Sequence, residues 1–300
     1  MKILTPVLVA SAIAVAACSD STPTAEQASG TEPTETTIQE QEQATMTTTE
    51  LATATLAALF IDFDPDAAAE LLAPDYIQHN TGVPTGAAPV LEFIPALEES
   101  GISVTTHRVF TDGDLVVFHN TYENAELFGA PTLVAFDVFR IENGKVAEHW
   151  DNLQPPAEPN ASGRTLTDGP TEVTDLDQTE ANKALVAEFT QAVLIDGDFD
   201  RITEFMAPDL IQHNPWWGDG LEALGAGFAA QAEQGNALRY DTVHQIIGQG
   251  NFVLFMSEGA LGDTPTAYYD LLRLDDGKIV EHWDVISEIP AEMAHDNGKF

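Results

Sequence analysis

Two eight-residue blocks of this chain occur twice, in the same order and at nearly the same separation. Ala73-Pro74-Asp75-Tyr76-Ile77-Gln78-His79-Asn80 returns 134 positions later as Ala207-Pro208-Asp209-Leu210-Ile211-Gln212-His213-Asn214, with one residue changed. Gly144-Lys145-Val146-Ala147-Glu148-His149-Trp150-Asp151 returns 133 positions later as Gly277-Lys278-Ile279-Val280-Glu281-His282-Trp283-Asp284. Between the blocks, His107 and His244 lie 137 apart, so a small insertion separates them. Solenoid repeats have periods of roughly 20–50 residues, so a period this long means a duplicated domain. Each copy is long enough to enclose its own core. The copies run 49–154 and 178–289. Residues 155–177, rich in Pro, Gly, Thr and Asp, read as a linker, and 290–300 as a tail.

Composition narrows the partners. There are 49 acidic residues against 11 basic, a net charge of −38. Phosphate binding needs clustered Lys and Arg, so nucleic acid is excluded as a partner. A basic patch for anionic lipid is excluded likewise. The 44% hydrophobic content is enough for packed cores. The N-terminus has a single base, Lys2, then an apolar run Ile3 to Val15 that is too short to span a bilayer. Val15-Ala16-Ala17-Cys18 resembles a bacterial lipoprotein lipobox. That resemblance implies a signal peptide over 1–17, acylation of Cys18, and a membrane association through the lipid anchor alone. Cys18 is the one cysteine of the sequence, so no intrachain disulfide can form. Ser19 after the cysteine, where an inner-membrane signal has Asp, favours the outer membrane. The expected location is the bacterial cell envelope, facing the periplasm. Residues 18–48 carry almost no large apolar side chain and read as a flexible tether.

Periodicity gives the elements of each copy. Thr49 to Phe60, Pro65 to Leu72 and Gly86 to Glu99 read as helices, the last weakened by Pro89 and Pro95. Ile102–Phe110, Leu115–Tyr122, Leu133–Ile141 and Lys145–Leu153 read as strands. The second copy repeats the order, with helices near Glu180–Ile195, Phe199–Met206 and Leu221–Gln234. Helices first and an antiparallel sheet after define an α+β class. In the last hairpin a three-residue loop Glu142-Asn143-Gly144 would pair Ile141 with Lys145. Asp137 would then face His149, and Ala135 would face Asp151. Asp137, His149 and Asp151 fall on one side of the sheet, with Val138, Arg140, Glu148 and Trp150 on the other. Asp270, His282 and Asp284 form the same set in the second copy.

The element order, the Ile-Gln-His-Asn block, and the run Asp-x-x-Arg-x-x-x-Gly-Lys-x-x-Glu-His-Trp-Asp resemble the SnoaL-like polyketide cyclases of the nuclear transport factor two-like superfamily. The resemblance implies two tandem cone-shaped (cystatin-like) domains, each with three helices packed on a curved antiparallel sheet around an apolar pocket. It implies intramolecular aldol chemistry without metal or cofactor, and Asp151 and Asp284 as the acid/base positions. Asp137 and Asp270 would be further polar pocket residues. Superfamily members often dimerise through the open sheet face. The apolar sets Phe136, Val138, Trp150 and Tyr269, Leu271, Trp283 therefore suggest an intrachain pseudodimer.

The chemistry is coherent without the family. Aldol closure needs a proton taken alpha to a carbonyl and one given to the alkoxide. A carboxylate in an apolar pocket can do both, and a histidine beside it can hold the proton. Asp151, His149 and His79, with Asp284, His282 and His213 in the second copy, fit those roles on a small apolar molecule. Other readings stay open. His79 and His213 would equally brace a turn, and the aspartates would equally end a strand. His149-x-Asp151 with His79 has the ligand types of a metal site, though nothing fixes the spacing of His79. A non-catalytic binding module of the envelope is the competing function.

Overall fold

The computed structural model describes residues 46–300. The signal peptide, Cys18 and nearly all of the tether lie outside the described residues.

The first copy opens with helix α1 (Thr48–Phe60). Thr47 caps it: its hydroxyl accepts from the Glu50 amide, and the Glu50 carboxylate accepts from the Thr47 amide. Asp64 caps α2 (Pro65–Leu71), where Pro65 occupies the first helical position and forfeits no hydrogen bond. Strand β1 (Leu72–Gln78) and helix α3 (Ala87–Ser100) follow. Helix α3 carries Pro95 without breaking and stops at Gly101 in the left-handed region. Four strands complete the copy: β2 (Ser103–Asp112), β3 (Leu115–Glu123), β4 (Thr132–Glu142) and β5 (Lys145–Gln154). The second copy runs α4 (Thr179–Phe189), α5 (Ile202–Phe205), β6 (Met206–Gln212), α6 (Leu221–Glu233), β7 (Leu238–Gln249), β8 (Phe252–Leu261), β9 (Thr264–Asp275) and β10 (Lys278–Glu288). Helix α4 widens into a π-helical turn over Thr190–Ile195.

The sheets have orders β1-β5-β4-β3-β2 and β6-β10-β9-β8-β7. Each is four antiparallel strands plus an edge strand that pairs in parallel, β1 on β5 and β6 on β10. These edge strands are the repeated Ala-Pro-Asp-x-Ile-Gln blocks, to which periodicity assigns no element. Proline is tolerated there because an edge strand has a side with no ladder to feed.

The hairpin register differs from the three-residue loop expected. Glu142 pairs with Lys145 across a two-residue turn, Asn143-Gly144, with φ of 52° and 74°. Both residues sit in the left-handed region, as a type I′ turn requires. Ala147 then bulges between the pairs Ile141–Val146 and Arg140–Glu148. Asp137 therefore lies opposite Asp151, and His149 opposite Phe139. The second hairpin does the same, with Asp270 opposite Asp284 and His282 opposite Leu272. The bulge keeps Asp137, His149 and Asp151 on one face despite the shorter turn.

One face of each sheet wraps its own helices. The opposite faces meet each other: Phe136, Val138 and Trp150 share one buried cluster with Tyr269, Leu271 and Trp283. Polar contacts cross the same seam. The Asn152 amide donates to Ala267 O at 3.1 Å and Val285 O at 2.6 Å, and the Arg108 guanidinium lies 4.3 Å over the Trp283 ring.

The connecting segments are exchanged between the copies. Residues 155–175 lie over the second domain, where Asn160 Nδ2 donates to Gln212 O at 2.6 Å and His213 Nδ1 to Thr165 O at 2.8 Å. The approach is close at Gly169 (φ +95°), where a Cβ would come within 2.7 Å of Glu281 Oε1. The segment after β10 returns to the first domain. Asn297 Nδ2 donates to Gln78 O at 2.9 Å, and His79 Nδ1 to Gly298 O at 3.0 Å. Each Gln-His-Asn edge is thus strapped by the segment that follows the other domain.

Candidate functional site

Each cone holds an apolar cavity between its helices and its sheet, with acid groups in its wall. The first is a small cavity of about 60 Å³. Its wall includes Leu59, Phe93, Phe128 and Phe139, and its polar groups include Asp137, His149, Asp151, Gln78 and Asn80. The second, at about 30 Å³, is narrower, with Trp217 and Phe228 in its wall. Trp217 is the buried member of the Trp216-Trp217 pair that has no counterpart in the first copy; Trp216 is exposed. Asp270 and His282 line the second cavity, whereas Asp284 is not among its lining residues.

Hydrogen bonds in the first site fix the protons. Gln78 Oε1 accepts from the His79 and Asn80 amides at 3.0 and 2.9 Å, so this atom is the carbonyl oxygen. His149 Nδ1 lies 3.0 Å from it and must therefore carry a hydrogen. His149 Nε2 faces Asp137 Oδ1 at 3.3 Å. One proton is shared there, as an imidazolium against a carboxylate or an imidazole against a carboxylic acid. The other Asp137 oxygen accepts from Asn120 Nδ2 at 2.8 Å and the Tyr122 hydroxyl at 3.0 Å. Burial, with Asp137 beside it, pushes the Tyr122 phenol well up, which keeps it a donor. Asp151 Oδ2 accepts from Asn80 Nδ2. Asp151 Oδ1 is buried and accepts no hydrogen bond from the described residues; Lys299 Nζ stands 3.5 Å from it.

The second site repeats the scheme. Gln212 Oε1 accepts from the Asn214 amide at 2.8 Å and from His282 Nδ1 at 2.9 Å, and His282 Nε2 faces Asp270 Oδ1 at 2.9 Å. Asn214 Nδ2 donates to Asp284 Oδ2 at 2.7 Å, and Asp284 Oδ1 is left without a partner. Here burial pushes the Asp284 carboxyl up to about 6; His282 opposes the shift and Asp270 adds to it. Asp270 is also raised, by burial, against the hydrogen bond and charge of His282. Burial works against the charged form of His282, but the hydrogen bond to Asp270 and the nearby carboxylates leave it raised.

Asp137, His149 and Asp151 are thus brought together, as are Asp270, His282 and Asp284. His79 and His213 are not. Along the edge strand Gln78 and Asn80 point into the cone, so the residue between them points out. His79 stacks on Trp150 at 5.0 Å, and its Nε2 meets Glu148 Oε1 at 2.9 Å. His213 stacks on Trp283 at 4.5 Å and meets Glu281 Oε1 at 2.8 Å. Both belong to the seam between sheets and to the straps. The residues that take the expected place are Gln78, Asn80, Gln212 and Asn214. Their signal was available in the repeated Gln-His-Asn block, once that block is read as a strand. The groups that could hold a metal ion are likewise Asp137-His149-Asp151 and Asp270-His282-Asp284, without His79; in each set the ligand atoms lie within 4.8 Å of one another.

Two strapped cones in tandem, each with a buried Asp-His-Asp set against an apolar cavity, define a duplicated α+β pocket protein. The chain belongs to the SnoaL-like domain family, whose model matches residues 53–149 and again 186–282. Similar solved structures correspond to about one copy. TsrD from Streptomyces laurentii is 25% identical, covering 35% of this chain and 87% of that one, with a TM-score of 0.30. An NTF2-like protein of unknown function from Cytophaga hutchinsonii is 18% identical, covering 38% and 95%, with a TM-score of 0.32. IdmH from Streptomyces antibioticus, described as a polyketide cyclase candidate, is 19% identical, covering 36% and 93%, with a TM-score of 0.31. No curated protein matches the sequence.

Proposed function

We propose that this protein is an exported, cofactor-free acid–base enzyme of the polyketide-cyclase type, a lyase or isomerase acting on a small apolar carbonyl compound. The observation that carries the reading is Asp151 Oδ1, buried beside an apolar cavity and accepting no hydrogen bond from the described residues, with the His149–Asp137 pair next to it. A buried carboxylate oxygen without a hydrogen bond is costly to maintain, and it can take a proton from a bound molecule. In ring closure Asp151 removes a proton alpha to one carbonyl. The resulting enolate carbon bonds to a second carbonyl carbon, and the alkoxide formed takes a proton from the His149–Asp137 pair. Gln78 holds the imidazole in the tautomer this requires.

Asp151→Asn keeps the shape and the Asn80 contact but removes the base. It should lower turnover about 100- to 10,000-fold, the usual worth of a positioned acid or base, with the fold intact by circular dichroism. A screen of enolisable ketones on the full chain, followed by kinetics of the variant, measures this. Undiminished turnover in Asp151→Asn would remove the residue from the mechanism.

For the second domain a binding role is the competing reading, since Asp284 does not line the narrower cavity. Kinetics of Asp284→Asn on the same substrate separate the two. Export rests on the lipobox-like Val15-Ala16-Ala17-Cys18. With Cys18→Ser the protein should leave the membrane fraction for the soluble one. Retention in the membrane at the wild-type level would reject the lipid anchor.

A further inference from the structure

We propose that Lys299 is a nucleophilic amine of the first domain's site, one that captures an aldehyde or ketone as an imine with Asp151 as its proton partner. The proposal rests on the carbonyl-handling reading of that site and adds to it a covalent route and a second catalytic residue.

The position of Lys299 is built from several sides. The segment after β10 crosses from the second domain to the first. It is held by Ala294 N donating to Thr81 O at 2.9 Å, by the imidazole of His295 against Asn80 O at 2.9 Å, and by Asn297 Nδ2 on Gln78 O at 2.9 Å. His79 Nδ1 donates to Gly298 O, while its Nε2 is locked to Glu148, which Arg140 holds in turn at 2.8 Å. Phe300 stacks on His244 of the second domain at 4.2 Å. Lys299 is fixed between these anchors and is 6% exposed. Its Nζ donates to Asp151 O at 2.7 Å and stands 3.5 Å from Asp151 Oδ1.

Lys299 also lines open space. A vestibule of about 630 Å³ has Lys299, Asp151, Asn80, Phe93 and Phe128 in its wall. All of these except Lys299 also line the inner cavity, so the two spaces adjoin at Asp151, the residue Lys299 touches. The second domain has no such group at this place: its strap puts Arg164 against Asp219, at 3.2 Å.

A lysine attacks a carbonyl only when its amine is neutral, and burial is the means by which proteins make it so. Burial of Lys299 pulls its ammonium below the usual lysine range, and the opposing pull of Asp151 does not cancel this. The other charged group acting on it is Asp137, in the same direction as Asp151. The steps balance without an oxidant or reductant. The neutral amine nitrogen bonds to the carbonyl carbon, and the carbonyl oxygen leaves as water with the two amine hydrogens. The His149–Asp137 pair gives a proton to the imine nitrogen, forming an iminium. Asp151 Oδ1 then removes the alpha proton, leaving an enamine whose carbon bonds to a second carbonyl carbon, and the alkoxide so formed takes that proton back from Asp151. Water added to the regenerated iminium releases the product and the neutral amine and returns a proton to the His149–Asp137 pair.

The test is reductive trapping on the full chain with butanone and sodium borohydride, followed by peptide mapping. Lys299 should carry the sec-butyl group at several times the occupancy of Lys145, Lys183 or Lys278. Lys299→Arg keeps the cation beside Asp151 but forms no imine. It should lose the trapped product at this peptide and the turnover, with the fold intact by circular dichroism. Lys299→Met controls for charge and should lose both as well. The proposal falls if Lys299 in the folded wild type is labelled no more than the other three lysines, or if Lys299→Arg retains full turnover. An unlabelled Lys299 with an inactive Asp151→Asn would overturn the imine and leave the acid–base reading standing. A labelled Lys299 with turnover indifferent to Asp151→Asn would overturn both the acid–base reading and Asp151 as the proton partner, leaving the imine alone standing.

Discussion

The two copies of one aspartate sit in different electrostatic settings, and pH will separate them. Asp151 has Lys299 Nζ 3.5 Å from its Oδ1; Asp284 has a histidine at 3.9 Å and a second raised carboxyl on the facing strand. The Asp284 carboxyl, pushed by burial to about 6, binds its proton more tightly folded than unfolded. Protonation therefore favours the fold. The contribution is fully present below the unfolded carboxylate value of about 4 and is lost as pH rises through about 6. His282, raised as well, works in the same direction. Asp284→Asn cannot ionise and should be more stable than wild type near pH 8 by roughly 1–3 kcal/mol, an advantage that fades to nothing near pH 4. Urea midpoints of both proteins across that range measure it. A variant less stable than wild type at every pH would mean that the carboxylate's bond from Asn214 outweighs its burial.

At the scale of elements, what could be read from the sequence was what obeys a local period. Helix α1 starts one residue before the position its pattern suggested, and α2 and α3 end within a residue of theirs. Pro95 did not interrupt α3. The edge strands β1 and β6 were not legible. Their only ladder is parallel, to a strand some 70 residues away, and nothing local announces such a partner. That one omission also misplaced His79 and His213, since the face of a residue follows from the strand it belongs to. The hairpin shows a different limit. Asn143-Gly144 is a strong two-residue turn signal, but a two-residue turn without a bulge would split the Asp-His-Asp set. The molecule reaches that grouping by a bulge at Ala147 instead. A bulge changes count without changing composition, so pairing partners can be wrong while the shared face is right. The Gln78 and Asn80 contacts with His149 and Asp151 were legible in principle, as a conserved spacing between the two copies of this one chain.

At the scale of the molecule, the seam between the sheets decides whether the copies behave as two proteins or one. Leu254, Leu271, Trp283 and Val285 of the second domain are fully buried in a cluster shared with Phe136 and Val138 of the first. Either domain alone would expose this face as an apolar patch of the kind that drives association. The exchanged straps add to the dependence, because each Gln-His-Asn edge is held by chain that follows the other domain. Cooperative unfolding follows when the interface between two units is large and apolar relative to their own stabilities. The chain should therefore melt in a single calorimetric transition, with van't Hoff and calorimetric enthalpies in agreement. Leu271→Asp places a carboxylate in the seam with no partner, at a cost of several kcal/mol, while leaving both cones' inner faces untouched. It should split the transition in two, and the lower-melting half should be the one whose helices are lost first by circular dichroism. Because the first site borrows Lys299 from beyond the seam, the same variant should also weaken trapping at that lysine before either domain has unfolded. Two separate transitions in the wild-type chain would show that the cones are energetically independent, with the straps and the shared cluster contributing too little to couple them.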